Sequence, residues 1–189
     1  MNKAVFLDRD GTINIDKGYI FRIQDFKFLP GAIDGLRKLQ ELGFLLIIIT
    51  NQSGIARGYY TERELLVLNE WLMNELEKIN IKITNIYYCP HHPEAIIDKY
   101  RFKCRCRKPG LKFYETAIKD YDLDISQCWA IGNELRDIYV CKEYNCRGIL
   151  VGNDSKFDKK IIDENNLYLS NDLLEAAEIV RRNGGRLND

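Results

Sequence analysis

The feature that most constrains the fold is a run of six apolar residues from Phe44 to Ile49. A strand that is apolar at every position, rather than at every second one, is buried on both faces, as in a parallel sheet covered by helices. The run follows Gly43 and ends at the polar Thr50. Because it is far too short to cross a bilayer, it predicts a central strand of a globular α/β domain.

Short apolar strands alternate with amphipathic helices along the whole chain, which predicts a Rossmann-like parallel sheet with helices on both faces. Ligands in such folds bind at the carboxyl ends of the strands. The predicted strands are Ala4–Leu7, Phe44–Ile49, Asn85–Tyr88, Cys128–Ile131 and Arg147–Val151, with an edge strand over about 165–169. The predicted helices cover about 30–42, 61–79, 112–121, 135–144 and 172–182, and a flexible tail covers about 183–189.

Composition and charge exclude several classes of protein. The 189 residues contain 28 Lys and Arg against 28 Asp and Glu, so the basic excess of a nucleic-acid binder is missing. Residues Met1–Lys3 lead directly into an apolar stretch that Asp8 interrupts, which is unlike a signal peptide. We therefore expect one domain over 1–189 that is cytoplasmic and monomeric, without a nucleic-acid or membrane partner. In that compartment the six cysteines indicate metal ligands and free thiols rather than disulfides.

Two aspartates follow the first predicted strand, in Asp8-Arg9-Asp10-Gly11-Thr12. If the extended geometry continues beyond Leu7, Asp8 and Asp10 point to the same side, because side chains alternate with a period of two. Mg²⁺ relieves the repulsion of such a pair and prefers carboxylates together with water and phosphate oxygens. One carboxylate can attack phosphorus, while the other transfers protons. The alternative interpretation is a simple Asp-Gly turn after a strand.

The segment over about 89–110 has no periodicity and contains a candidate metal site. Cys89-Pro90-His91-His92-Pro93 is followed about fifteen residues later by Cys104-Arg105-Cys106. Three thiolates and one imidazole form the ligand set of a structural zinc site, and a metal would order a segment that has few apolar residues. The predicted ligands are Cys89, His91, Cys104 and Cys106, with His92 as an alternative to His91.

Polar residues with phosphate-binding chemistry follow the later strands. Thr50 ends the second strand, where a hydroxyl and free backbone amides can hold phosphoryl oxygens. Arg107-Lys108 precedes a helix, and its positive charge can offset charge that develops in a transition state. Gly132-Asn133-Glu134 follows the fourth strand, with Asp137 close behind. Each feature by itself is also typical of a polar strand end, a solvated charge pair or a turn.

Taken in order, these four clusters resemble the four motifs of the haloacid dehalogenase superfamily of phosphohydrolases. Up to about residue 152 the chain is similar to the bacterial heptose bisphosphate phosphatases, which combine these motifs with a Cys-Pro-His-His-Pro and Cys-x-Cys-Arg-Lys-Pro zinc loop. The long spacing within that loop, and the loop from Thr50 to Tyr59, favour these enzymes over the related histidinol-phosphate phosphatases. The resemblance implies release of the 7-phosphate from D-glycero-D-manno-heptose 1,7-bisphosphate, for nucleotide-activated heptose and lipopolysaccharide.

The resemblance also implies roles for the matching residues. Asp8 would be the nucleophile that forms an aspartyl-phosphate, and Asp10 the general acid and base. Thr50 and Lys108 would stabilise the phosphoryl group. Zinc would be structural and would shape the loop insertion that presents Arg107, while no large cap domain fits between Asp10 and Thr50. The residues expected to bind the phosphosugar substrate are Gly18, Tyr19, Ile20, Asn51, Gln52, Ser53, Gly54 and Arg107.

Magnesium would be bound through Asp8, the backbone carbonyl of Asp10, and Asn133. The family has an aspartate where this chain has Asn133, whose carbonyl can bind Mg²⁺ but brings no negative charge, so that Glu134 or Asp137 would compensate. Three explanations stay open: a working natural variant, a substitution that holds substrate without turnover, and an inactive relative. The competing functions are therefore a histidinol-phosphate phosphatase and a catalytically silent phosphosugar-binding protein.

Overall fold

The fold is a parallel six-stranded sheet in the order β3-β2-β1-β4-β5-β6. The computed structural model describes residues 1–152, Phe157, Ile162 and 167–184. The strands are β1 (Ala4–Leu7), β2 (Leu45–Asn51), β3 (Ile83–Cys89), β4 (Trp129–Gly132), β5 (Arg147–Val151) and β6 (Tyr168–Ser170). The helices are α1 (Ala32–Glu41), α2 (Glu62–Glu77), α3 (Lys112–Asp120), α4 (Val140–Tyr144) and α5 (Leu173–Asn183).

Both faces of the sheet are buried, which confirms the prediction from the unbroken apolar run. Alternate residues of β2 belong to two different apolar clusters. Leu46 and Ile48 pack with residues of α1, α2 and α5 on one face, whereas Ile47 and Ile49 pack with residues of α3 and α4 on the other. Among the described residues, none of the helices combines the length and the apolar content needed to cross a bilayer.

The strand β1 lies at the centre of the sheet, where the chain reverses its direction of winding. Its residue Phe6 is in register with Ile47 of β2 on one side and with Ala130 of β4 on the other. After β1 the chain builds outward through β2 to β3, and then crosses to β4 on the opposite side. The carboxyl ends of β1, β2 and β4 therefore meet at a crevice where ligands bind in folds of this kind.

The prediction of one helix over 135–144 is wrong. The segment forms a 3₁₀ turn at Leu135–Asp137, followed by the separate short helix α4. The buried carboxylate of Asp137 accepts a hydrogen bond from the backbone of Glu134 and pairs with Lys108, 2.8 Å away, and this inward pull ends the turn. The predicted edge strand falls at Tyr168–Ser170, while residues 165–166 and most of the predicted tail, 185–189, lie outside the described residues.

Candidate active site

The carboxyl ends of the central strands open into a cavity of about 350 Å³. Between β1 and β2 the chain forms a flap (residues 16–21), a 3₁₀ turn and α1, and the flap lies over one side of this cavity. Most of the residues predicted for the site line it: Asp8, Asp10, Gly18, Tyr19, Thr50, Asn51, Gln52, Ser53, Lys108, Asn133, Glu134 and Asp137. The four separate sequence clusters are thus brought together at one edge of the sheet.

Three of the residues predicted to bind substrate lie elsewhere. Ile20 is buried, and its carbonyl accepts a hydrogen bond from Arg9. Gly54 is packed under the ring of Tyr60, where a Cβ atom would overlap the ring. Arg107 lines a neighbouring cavity of about 510 Å³ beside the cysteine loop, and donates a hydrogen bond to the carbonyl of His91 at 3.4 Å.

The cavity also contains residues that sequence reasoning missed. Arg136, Tyr60 and Asp16 line it together with the predicted set. Arg136 stands next to the predicted Asp137, so its position in the fourth cluster was an available signal. Tyr60 precedes α2 and belongs to no recognisable motif, and Asp16 lies in the flap, so neither could be found from strand ends.

The floor of the cavity is a buried ion cluster around Lys108. Its ammonium lies 2.6 Å from Asp8 Oδ1 and 2.8 Å from Asp137 Oδ1, and it donates to the carbonyl of Ile49 at 2.6 Å. Burial has the largest effect on the pKa of Asp8; together with the charge of Asp137 it outweighs the opposing effect of Lys108 and raises that pKa to about 7. Burial alone would lower the pKa of Lys108, but the two carboxylates outweigh it and raise that pKa.

Asn51 holds Lys108 in place from the end of β2. Its side-chain carbonyl accepts from the backbone N–H of Lys108 at 2.9 Å, and its amide donates to the Lys108 carbonyl at 3.2 Å. This reciprocal pair fixes the backbone of the third cluster against the second strand. The amide of Asn51 is therefore committed to Lys108, a structural role that its predicted contact with substrate did not include.

The second aspartate, Asp10, is surrounded by hydrogen-bond donors. Asn14 donates to its Oδ1 at 3.0 Å, and Gln52 donates to its Oδ2 at 2.9 Å. The guanidinium of Arg9 is fully buried and donates from Nη2 to Oδ2 at 2.9 Å. The carboxylate of Asp10 is thus held from three directions at the rim of the cavity.

The residues at the ends of β1 and β4 suit a magnesium ion. Asn133 packs directly against Gly11, where a Cβ atom would overlap the asparagine side chain. The available donors are carboxylate, backbone carbonyl and amide oxygens, which are the hard ligands that Mg²⁺ prefers. Two buried carboxylates, Asp8 and Asp137, share the single ammonium of Lys108, so negative charge is left over that a divalent cation can offset. The residues present therefore fit the ion.

The predicted zinc ligands form one compact cluster. Cys89, His91, Cys104 and Cys106 offer ligand atoms that all lie within 4.8 Å of one another, which is compatible with tetrahedral zinc. His91 contributes Nδ1, which lies 3.3 Å from Cys106 Sγ. His92 accepts a hydrogen bond from the backbone of Glu94 instead, and this favours His91 over His92. Contact with Cys89, and then with Cys104 and His91, lowers the pKa of Cys106 to about 5, and the thiolate is the form that binds metal.

The cysteine loop (residues 89–110) is anchored to the start of α2. Glu62 accepts hydrogen bonds from the hydroxyls of Tyr88 at 2.8 Å and Tyr100 at 2.5 Å. The carbonyl of Ala56 accepts from the backbone of Ile96 at 3.0 Å and from that of the next residue at 3.1 Å. The loop is therefore fixed to the segment that follows Thr50, as well as through its cysteines.

Comparison with known proteins agrees with this geometry. A family model described as polynucleotide kinase 3 phosphatase matches residues 3–142. The crystal structure of a D,D-heptose 1,7-bisphosphate phosphatase from B. bronchiseptica, complexed with magnesium and phosphate, is similar with a TM-score of 0.78. It is 28% identical and covers 95% of this chain and 98% of its own. The fold and the site define a phosphatase of the haloacid dehalogenase type.

Two curated relatives narrow the class. The D-glycero-beta-D-manno-heptose-1,7-bisphosphate 7-phosphatase of Haemophilus influenzae is 47% identical over 138 residues, which are 73% of this chain and 74% of the relative. The enzyme of that name from Escherichia coli K12 is 43% identical over 142 residues, which are 75% of this chain and 74% of the relative. The chain belongs to the family of D-glycero-beta-D-manno-heptose-1,7-bisphosphate 7-phosphatases, as its motifs and its cysteine loop predicted.

Proposed function

We propose that the chain hydrolyses the 7-phosphate of D-glycero-D-manno-heptose 1,7-bisphosphate, with Asp8 as the nucleophile. The observation that carries this proposal is that Asp8, Asp10, Thr50 and Lys108 line one cavity at the ends of β1 and β2 in a member of this family. The reaction serves the synthesis of nucleotide-activated heptose, and we place the enzyme in the cytoplasm as a monomer.

In the first step, a carboxylate oxygen of Asp8 attacks phosphorus, and the bond between phosphorus and the sugar O7 breaks. The leaving oxygen takes the proton of Asp10, which enters this step as the neutral acid. Lys108, whose ammonium is 2.6 Å from Asp8 Oδ1, stabilises the charge on the phosphoryl oxygens together with the hydroxyl of Thr50. The products of this step are the sugar alcohol and an aspartyl-phosphate.

In the second step, water attacks the aspartyl-phosphate. Asp10, now a carboxylate, takes a proton from that water, and the bond between phosphorus and the Asp8 oxygen breaks. Inorganic phosphate leaves, and the two aspartates return to their starting forms. The same carboxyl group therefore serves as acid in one step and as base in the next.

Two metal ions complete the proposal. Mg²⁺, held by Asp8, the carbonyl of Asp10 and Asn133, would offset the negative charge that the phosphoryl group brings to the buried carboxylates. Zn²⁺, held by the cysteine cluster, would keep the loop that carries Lys108 folded. Neither ion transfers a proton or forms a bond to the sugar in this scheme.

A group of cations near the cavity supports a substrate with a second phosphate. Arg136 lines the cavity, and Arg107 lies beside it on the cysteine loop. Burial lowers the pKa of Arg107, and the charges of Arg136 and Arg57 lower it further, whereas Cys89 and Cys104 oppose these effects. A second phosphate can pair with these guanidinium groups, whereas the ammonium group of histidinol phosphate cannot.

The direct test is phosphate release from both anomers of heptose 1,7-bisphosphate, with histidinol phosphate alongside, across a Mg²⁺ titration. We expect release from a heptose bisphosphate, and none after Asp8→Asn. A clear preference for histidinol phosphate would overturn the substrate assignment.

The same titration tests the effect of Asn133. We expect Asn133→Asp to lower the Mg²⁺ concentration for half-maximal activity about tenfold, because it restores a charged ligand in a side chain of the same shape. Failure of both the native protein and Asn133→Asp to release phosphate, at any Mg²⁺ concentration, would favour a silent phosphosugar-binding protein.

A further inference from the structure

A chain of buried hydrogen bonds begins at Tyr60 and ends at the carboxylate of Asp10. The hydroxyl of Tyr60 donates to Gln52 Oε1 at 2.5 Å. Gln52 Nε2 in turn donates to Asp10 Oδ2 at 2.9 Å and to Thr50 Oγ1 at 2.9 Å. Tyr60 and Gln52 are both buried. Because the amide oxygen is taken by Tyr60, the amide nitrogen must face the aspartate and the threonine.

Two further contacts, one made by Tyr60 and one by Arg9, connect Asp10 to the flap (residues 16–21). The ring of Tyr60 stacks on Phe21, with centroids 4.9 Å apart and planes 13° from parallel. Arg9, which donates to Asp10, also donates to the carbonyl of Ile20 at 2.8 Å. The flap residues Asp16, Gly18 and Tyr19 line the cavity. The position of the flap and the direction of the Asp10 carboxylate are therefore set by one continuous network.

We propose that Tyr60 and Gln52 are positioning residues for Asp10, and that they align its carboxyl group with the leaving oxygen when the flap is in place. This inference rests on the acid and base role given to Asp10 in the proposed function. A general acid accelerates the reaction only when its proton points at the leaving oxygen. A side chain that is fixed by packing and hydrogen bonds keeps this orientation. In this proposal Gln52 acts through Asp10, while its contact with substrate stays a prediction.

The test uses the leaving group. The alkoxide of a sugar needs a proton as it departs, whereas the phenolate of p-nitrophenyl phosphate departs without one. We expect Tyr60→Phe to lower kcat/KM for heptose 1,7-bisphosphate about tenfold, and kcat/KM for p-nitrophenyl phosphate at most about twofold. Gln52→Leu, which removes the donor itself, should enlarge the same difference. Each variant is made both in the native chain and in the Asn133→Asp chain. The ratio of the two kcat/KM values can then be measured even if the native chain turns over slowly.

A matched control is Tyr168→Phe, because Tyr168 lies on β6 and its hydroxyl is near Asn183, away from the cavity. It should leave both rates unchanged. Equal losses with the two substrates after Tyr60→Phe would mean that the tyrosine supports the fold alone, and would overturn the inference. Unchanged kcat/KM values for both substrates after Tyr60→Phe would overturn it too, with the proposed function intact. A native chain and Asn133→Asp variant that hydrolyse neither substrate would overturn the proposed function itself.

Discussion

Asp8 is held in a setting that opposes its own charge. It is buried beside Asp137, and the ammonium of Lys108 is shared between the two carboxylates. Burial therefore raises the pKa of Asp8 to about 7, far above the 3.8 of an exposed aspartate. The folded protein binds a proton at this position more tightly than the unfolded chain does. Asp8 therefore contributes stability that is fully present below about pH 3.8 and is lost as the pH rises through about 7.

We expect Asp8→Asn to stabilise the metal-free protein at pH 8, by about 1 kcal/mol or more, because the neutral amide avoids the cost of a buried second carboxylate. The gain should shrink as the pH falls toward 4. Urea unfolding in the presence of a chelator, measured at several pH values, checks this. A variant that is less stable than the native protein at pH 8 would show that the Lys108 ion pair outweighs the cost of burial.

Among individual residues, the sequence predicted those that directly follow the ends of strands. Asp8, Thr50 and Lys108 could be found because a buried parallel strand delivers its next polar residue to the carboxyl edge of the sheet. Arg107 was expected beside Lys108 in the site, but the chain bends at Arg107 and turns at Lys108, and Arg107 lines the next cavity. Tyr60 could not be found, because its role depends on a contact with Gln52 that no local pattern records.

The cysteine loop is the element that we propose to be ordered by zinc. Its four ligand atoms converge within 4.8 Å, while several of its apolar side chains, such as Ile96 and Phe102, are exposed. We expect Cys104→Ser to lose the zinc ion and to lower Tm by about 10 °C, because the metal supplies folding free energy that the small core of the loop does not.

Metal analysis and thermal unfolding measure both effects, with Cys141→Ser as the matched control. Cys141 is partly buried and lies outside the cluster, so its variant should keep the metal. A folded Cys104→Ser protein that retains zinc would contradict the assignment of this ligand.

Glu62 connects the same loop to α2. Hydrogen bonds from Tyr100 lower the pKa of Glu62, and those from Tyr88 together with the charge of Lys99 lower it further, against the opposing effect of burial. A lowered pKa stabilises the fold above the ordinary value of 4.5, and this contribution is lost as the pH falls below it.

We expect Glu62→Gln to cost about 1 kcal/mol at pH 7, allowing for the partial exposure of the side chain, and to cost less at pH 4. The measurement is urea unfolding of both proteins at each pH. Glu70→Gln, an exposed change on the same helix, is the control and should have no effect at either pH. A difference that is independent of pH would mean that the charge of Glu62 contributes nothing.

The sequence predicted the elements wherever local pattern and burial agree. The capping box of Thr61 and Glu64 starts α2 as expected, with hydrogen bonds in both directions. The break between Asp137 and α4 was not predictable, since it follows from an ion pair with a residue 29 positions earlier in the chain. Sequence periodicity records which face of an element is buried, but not which side chain a distant partner pulls out of register.

At the scale of the whole molecule, helices from the two ends of the chain pack together. Gly35 of α1 lies so close to α5 that a Cβ atom would sit 2.5 Å from the carbonyl oxygen of Leu173. We expect Gly35→Ala to destabilise the protein by about 1–3 kcal/mol, although alanine is the better helix former, because the helices must move apart. Urea unfolding measures this change. A Gly35→Ala variant that is more stable than the native protein would mean that the two helices can move apart without loss of stability.

The central place of β1 also orders events while the chain is being made. β1 leaves the ribosome first, yet the neighbour on one of its edges, β4, is synthesised only after Trp129 has been added. At 5–20 residues per second, that edge waits on the order of 10 s for its partner. An open strand edge is a template for pairing with other chains. A nascent chain that stalls before β4 would therefore both lack Asn133 and be prone to aggregate, so synthesis of the second half protects the first.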